Sequence, residues 1–216
     1  MKTTPSPTQP EAGGFVGSGM LENLWRRLTE PRGVMPEPER RRARLLSGVL
    51  LSLLLLIAFP VVLRSLLDPA YPRQNPTFLV TVGVAVTLAA AYSLNRTGRV
   101  RVAMFLTVAV VALSIWAIVI VNHDDAGIIL AILPYMVVSV LLSSLLFSVQ
   151  ATLLLALAHL AVSLSLLVLD PHLVSPELVN TLLFIGIVTF FIVAATVLRQ
   201  QDLKQIERQA QALAVF

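Results

Sequence analysis

The sequence predicts an all-α, polytopic membrane protein with six transmembrane helices. Hydrophobic residues make up 56% of the 216 residues, and charged residues only 13%. A soluble domain carries about 25% charged residues, so no water-soluble core accounts for this composition. The chain also contains six apolar stretches of 18 to 23 residues, and a helix needs about 20 to cross a bilayer. The stretches are 45–67, 77–94, 100–121, 127–147, 150–169 and 178–198.

The sixth apolar stretch continues into a polar segment, RQQDLKQIERQAQALAVF, that contains no Gly or Pro. The pattern therefore predicts that the last membrane helix extends unbroken into a short coiled-coil-like helix. The apolar residues of the segment follow the 3-4-3 spacing of a two-helix coiled coil. With four such layers, we expect only a weak homodimer, because short helices are marginal alone. The seam consists of Leu203, Ile206, Ala210 and Leu213.

The distribution of basic residues predicts the orientation of the bundle. Of the 16 Lys and Arg residues, 14 lie before the first stretch, at or beside the second connection (96–101) or in the tail. Only Arg64 and Arg73, at or beside the first connection, lie at the other end. The positive-inside rule then places both termini in the cytoplasm (N-in/C-in), and we expect an integral protein of the bacterial cytoplasmic membrane.

The chain divides into a cytoplasmic tail, a membrane domain and the start of a cytoplasmic helix, at 1–44, 45–198 and 199–216. Within the tail, composition predicts disorder over 1–19. An interfacial helix or a partly ordered segment follows over 19–30. The basic run at 40–44 is better explained as an orientation signal than as a lipid-recognition site. In the second stretch, a row of small residues is expected to pack against another helix: Thr81, Ala85, Ala89 and Ser93.

His159 is the ionisable residue closest to the middle of an apolar stretch. It is a candidate proton sensor, ligand contact or metal or haem ligand, but a neutral imidazole bonded to a neighbouring helix is the preferred explanation. Pro60 and Pro134 are expected to kink their helices and to open a cavity in the outer half of the bundle. The residues predicted to line this ligand pocket are Tyr135, His159, Asn180 and Trp116.

The outer connections contain the residue types of a weak metal site or pH sensor, namely His123, Asp124, Asp125 and His172. Acidic outer loops also follow from the topology alone, and we prefer that explanation, so no metal or cofactor is expected. The absence of cysteine excludes thiolate ligands and cysteine nucleophiles. No GxSxG, HExxH or phosphate-binding glycine loop occurs, and the sequence therefore predicts no catalytic residues and no enzyme. No nucleic-acid partner is expected.

The basic tail, six short-looped helices and the RQQDLKQIERQAQAL segment resemble the N-terminal membrane sensory region of bacterial sensor histidine kinases and diguanylate cyclases. The resemblance covers about 40–216. It implies a membrane-embedded input domain of a two-component or related signal-transduction protein, which relays a stimulus through the last helix to a cytoplasmic effector. No output domain is recognisable, so the sequence is expected to end before its effector. Membrane lipid is the other expected partner. The alternatives are a stand-alone subunit of a larger membrane complex and, less favoured, a small-molecule permease.

Overall fold

The computed structural model describes residues 23, 25, 27–30, 36–67, 76–169 and 175–213, and its regular elements there are all helical, as predicted. The helices are α1 (Glu37–Leu67), α2 (Pro76–Arg96), α3 (Val100–Val121), α4 (Ala126–Ile132), α5 (Met136–Leu146), α6 (Val149–Leu169) and α7 (Pro176–Leu213). A 3-10 turn at Leu133–Tyr135 separates α4 from α5.

Six segments of the described chain are long and apolar enough to cross a membrane, which confirms the predicted number of crossings. The fourth crossing consists of α4, the 3-10 turn and α5. Helix α1 begins at Glu37, so the basic run at 40–44 forms its second turn rather than a tail before it. Glu37 and Glu39 lie in the first turn, where negative charge interacts favourably with the helix dipole.

The helices pack around two hydrophobic clusters at different depths. The first joins α1, α2 and the beginning of α3, and includes Leu46, Leu88 and Met104. The second joins the end of α3 to α4, α5 and α7, and includes Ile115 and Met136. Helix α3 contributes to both clusters and therefore connects the two halves of the bundle.

Polar contacts tie the beginning of α1 to the end of α2. The fully buried amide of Asn95 donates hydrogen bonds to the Ala43 carbonyl (2.7 Å) and the Ser47 hydroxyl (2.8 Å). We call this the arginine-rich end, because the first turns of α1, the last turn of α2 and the start of α3 carry Arg40, Arg41, Arg42, Arg44, Arg96, Arg99 and Arg101.

The two prolines differ in their surroundings. Pro134 lies inside the 3-10 turn that interrupts the fourth crossing. Pro60 lies within α1, which is helical from Glu37 to Leu67.

Helix α7 runs without interruption from Pro176 to Leu213, so the predicted continuous last helix is confirmed. It lies at the edge of the bundle: in its most apolar 18-residue segment 6% of the residues are buried, whereas the corresponding share in the fourth crossing is 39%. Ile206 of the predicted seam is exposed. The side chains of Leu203, Ala210 and Leu213 lie outside the described part, and pairing through the seam stays a prediction.

Candidate functional site

A row of buried polar side chains runs between α5 and α6, and we call it the polar seam. Hydroxyl-bearing residues at such an interface are small enough to let two membrane helices approach closely and hydrogen-bond across it. At one level Ser143 lies 3.3 Å from Thr152, hydroxyl to hydroxyl. The members of the seam, all less than 5% exposed, are Ser139, Ser143, Thr152, His159 and Ser163.

His159 is the centre of the polar seam, and its two ring nitrogens contact two side chains, Trp116 and Ser139. The Trp116 indole Nε1 lies 3.1 Å from its Nδ1, and the Ser139 hydroxyl lies 2.6 Å from its Nε2. The Ser139 hydroxyl in turn donates to the Met136 carbonyl at 2.8 Å. An indole N–H only donates, so Nδ1 must accept. This hydrogen-bond network assigns the remaining proton of a neutral imidazole to Nε2, which donates to Ser139.

The assigned tautomer limits the chemistry that this cluster performs. A serine within 2.6–3.2 Å of a histidine has the separation of a nucleophile and its base. A base, however, needs a free lone pair facing the serine, whereas Trp116 directs the lone pair of His159 to Nδ1. The arrangement therefore does not activate Ser139 as a nucleophile. It presents Nε2–H as a fixed hydrogen-bond donor, the kind of group that stabilises negative charge developing on an oxygen.

The remaining residues of the predicted ligand pocket do not join this cluster. Trp116 and His159 are brought together, with ring centroids 6.0 Å apart. Tyr135, in the 3-10 turn, and Asn180, near the start of α7, are both exposed. Sequence reasoning singled out His159 but missed Ser139 as its partner. The available signal was that Ser139 and Ser143, four residues apart, share one face of a helix.

Three of the residues predicted as a weak metal site, His123, Asp124 and Asp125, lie at the end of the bundle opposite the arginine-rich end. His123 Nε2 is 3.2 Å from Asp124 Oδ1, and both side chains are exposed. Asp125 instead caps α4, accepting a hydrogen bond from the Ile128 amide. His172 lies outside the described residues. Among the described residues, no three His, Asp or Glu side chains are grouped closely enough to hold a metal ion.

These features define a helical integral membrane protein with a buried polar centre. The profile of the family described as "Heparan-alpha-glucosaminide N-acetyltransferase, catalytic" matches residues 70–202, which is more than half of the chain. The chain therefore belongs to this family. The matched region runs from α2 into α7 and contains Trp116, Ser139 and His159. No curated protein and no solved structure matched the chain.

The family assignment corrects three predictions. The resemblance to the sensory region of histidine kinases and diguanylate cyclases is wrong, because the matching family is a membrane acetyltransferase. The input-domain function is wrong for the same reason, and the non-catalytic subunit alternative gains no support. The prediction that the chain is no enzyme is also wrong, since the match is to a catalytic domain. Six short-looped helices and a long last helix are an architecture that many functions share, so architecture alone misled.

Proposed function

We propose that the chain is an integral membrane acetyltransferase that transfers an acetyl group to an amine, with His159 at its reacting centre. The match to a catalytic acetyltransferase family over 70–202 carries the proposal. In such a transfer the amine nitrogen attacks the acetyl carbonyl carbon and the bond to the leaving group breaks. The departing group takes up the proton that the nitrogen loses, and the carbonyl oxygen carries negative charge on the way.

His159 is suited to stabilise that oxygen. In the structure its Nε2–H is bonded to Ser139, which is itself bonded to the Met136 carbonyl. A substrate carbonyl that replaces Ser139 as acceptor receives a hydrogen bond that strengthens as charge develops. Trp116 keeps the proton on Nε2 throughout, and burial of the ring excludes water that would weaken the interaction.

The orientation follows from the basic residues. The arginine-rich end faces the cytoplasm under the positive-inside rule, and both termini lie on that side. Because the six crossings alternate in direction, the end with His123 and Asp124 faces the opposite side. His159 is ten residues into α6, about 15 Å from its start, near the middle of a hydrocarbon layer about 30 Å thick.

The test uses purified protein in nanodiscs with radiolabelled acetyl-coenzyme A as donor and an α-glucosaminide as acceptor. Substituting glutamine for His159 retains an N–H donor, whereas alanine removes it. We expect His159→Ala to lower the rate by about 10²–10³-fold, the usual effect of losing one oxyanion donor, and His159→Gln to lose less. His123→Ala is the matched control, since that histidine is exposed at the other end.

Each other outcome contradicts a defined part of the proposal. Equal loss in His159→Gln and His159→Ala indicates that the imidazole carries a proton or the acetyl group, and rejects the donor role. An unchanged rate in His159→Ala places the reacting centre elsewhere. A folded wild-type protein that neither binds the donor nor transfers acetyl to the amine rejects the acetyltransferase assignment.

A further inference from the structure

A crevice of about 450 Å³ lies between α1 and Trp25, outside the polar seam. Leu45, Val49 and Leu53 of α1 give it an apolar wall, and Arg44 and Ser52 also line it. Trp25 approaches α1 where the helix lacks a side chain: a Cβ added at Gly48 would lie 3.5 Å from the indole ring. Leu45 and Trp25 are both more than half exposed, so the crevice opens outward from the bundle.

The segment that carries Trp25 is fixed to the arginine-rich end. The Tyr92 hydroxyl donates to the Leu28 carbonyl at 2.7 Å. The Arg96 guanidinium donates to the Arg27 carbonyl at 3.1 Å. These two contacts come from α2, while the crevice itself lies against α1. These two contacts position the indole from outside the crevice.

Positive charge lies at one end of the crevice, where Arg44 lines it. Arg44 and Arg40 each lie 3.6 Å from the same Glu30 carboxylate oxygen, and both are about half exposed. Exposed ion pairs of this kind contribute little to stability. Two guanidinium groups share a single carboxylate here, so one positive charge stays uncompensated within the group. Arg41 and Arg42, on the same turn of α1, are exposed as well.

We propose that this crevice binds one anionic phospholipid of the leaflet at the arginine-rich end. An acyl chain lies between Trp25 and the apolar face of α1, and the phosphate lies against Arg44 and Arg40. Apolar walls beside an excess of guanidinium groups match the two halves of such a lipid. Tryptophan favours the level of the headgroups, as this arrangement requires. The proposal is independent of the acetyltransferase activity, because Trp25 and α1 precede the matched region 70–202.

The test uses the fluorescence of Trp25. The chain has two tryptophans, so Trp116→Phe leaves Trp25 as the only one. This protein is placed in phosphatidylcholine nanodiscs that contain a few per cent of a brominated quencher, either phosphatidylglycerol or phosphatidylcholine. We expect brominated phosphatidylglycerol to quench about fivefold more effectively at equal mole fraction, the factor for one arginine near an anionic surface. Equal quenching by the two lipids overturns the proposal.

Variants separate a specific site from general surface charge. Arg44→Gln removes the cation, and Gly48→Leu fills the crevice. Each should reduce quenching by phosphatidylglycerol to the phosphatidylcholine level. Glu30→Gln should increase it, because both arginines lose their carboxylate. Arg101→Gln is the matched control: it removes the same charge at the same end but lies on α3, outside the crevice. A loss in Arg101→Gln as large as in Arg44→Gln, or no increase in Glu30→Gln, contradicts a built lipid site.

Discussion

The hydrogen bond from Trp116 to His159 is the contact on which the assigned chemistry of the polar seam depends, and replacing Trp116 with phenylalanine tests it. Phenylalanine retains an aromatic ring beside the imidazole but removes the N–H that lies 3.1 Å from Nδ1. His159 is only 4% exposed, so its Nδ1 then faces no water. A proton shift to Nδ1 brings no relief, because that N–H in turn has no acceptor.

The expected cost follows from the burial. A buried acceptor left without a donor costs about 1–3 kcal/mol. Hydrogen bonds between membrane helices average about 0.6 kcal/mol and reach about 1.7 kcal/mol, since the unfolded chain in the membrane also finds partners. We therefore expect Trp116→Phe to destabilise the protein by about 1–2 kcal/mol, which for this chain length lowers the unfolding midpoint by about 2–8 °C.

A thermodynamic cycle with His159→Leu measures the contact itself. In detergent, thermal unfolding followed by circular dichroism should show that Trp116→Phe costs much less once the imidazole has been removed. Trp25→Phe, at an exposed indole, is the control and should change stability by less than about 0.5 kcal/mol. Equal costs of Trp116→Phe with and without His159 would show that the two side chains are not coupled, and would refute the reasoning.

The tautomer is directly observable in protein labelled with ¹⁵N-histidine, which has three histidines to assign. The His159 signals, identified by their loss in His159→Gln, should show a protonated Nε2 and an unprotonated Nδ1. In Trp116→Phe both tautomers should be populated. A protonated Nδ1 in the wild-type protein would leave Nε2 free to act as a base toward Ser139, and the donor role would have to be given up.

Two further predictions concern the arginine-rich end and the connections. Asn95→Leu should destabilise the protein by about 2 kcal/mol in the same unfolding assay, because it removes two buried hydrogen bonds to α1. Ser93→Ala is the control and should be nearly neutral, since that hydroxyl is exposed and bonded only within its own helix. Similar costs for both would mean that the α1–α2 contact does not depend on Asn95. Gly98→Ala should lower the stability by about 1–2 kcal/mol, since Gly98 has a φ of 95°, which disfavours a residue with a Cβ. Gly83→Ala is the control and should be neutral or stabilising, because Gly83 is helical and has open space around it. A neutral Gly98→Ala would argue against that turn conformation.

The number of crossings was predictable because the length and polarity of each stretch decide it locally. The buried face of each helix was less predictable from the sequence. The row of small residues in α2 was expected to form its packing face, yet Ala89 and Ser93 are exposed, and Leu88, Ala91 and Asn95 are buried instead. A polar side chain with a partner on α1, together with a large apolar neighbour, determined the contact here. The α1 groups that Asn95 contacts cannot be predicted from the sequence of α2 alone.

The polar seam shows the same limit. His159 stands out in the sequence because an ionisable residue in an apolar stretch is costly and therefore conspicuous. Its meaning depends on Trp116, which lies 43 residues away on α3 and was expected only as a lining residue of a wider pocket. A search for short catalytic motifs could not find this site, because its three side chains come from three helices. The enzymatic assignment came from the family profile, and the geometry then identified the residues to test.

For the long last helix, the predicted structure was correct, but the function inferred from it was wrong. Its 38 residues span about 57 Å, well beyond a hydrocarbon layer about 30 Å thick, as the sequence predicted. Transmission of a signal does not follow from that length. The family match ends at 202, and the part of α7 inside it contributes Leu178 and Ile185 to the same hydrophobic cluster as Met136. Met136 supplies the carbonyl that holds Ser139 beside His159. Within the matched region, α7 therefore packs against the wall of the candidate site, and this packing requires no transmission of a signal.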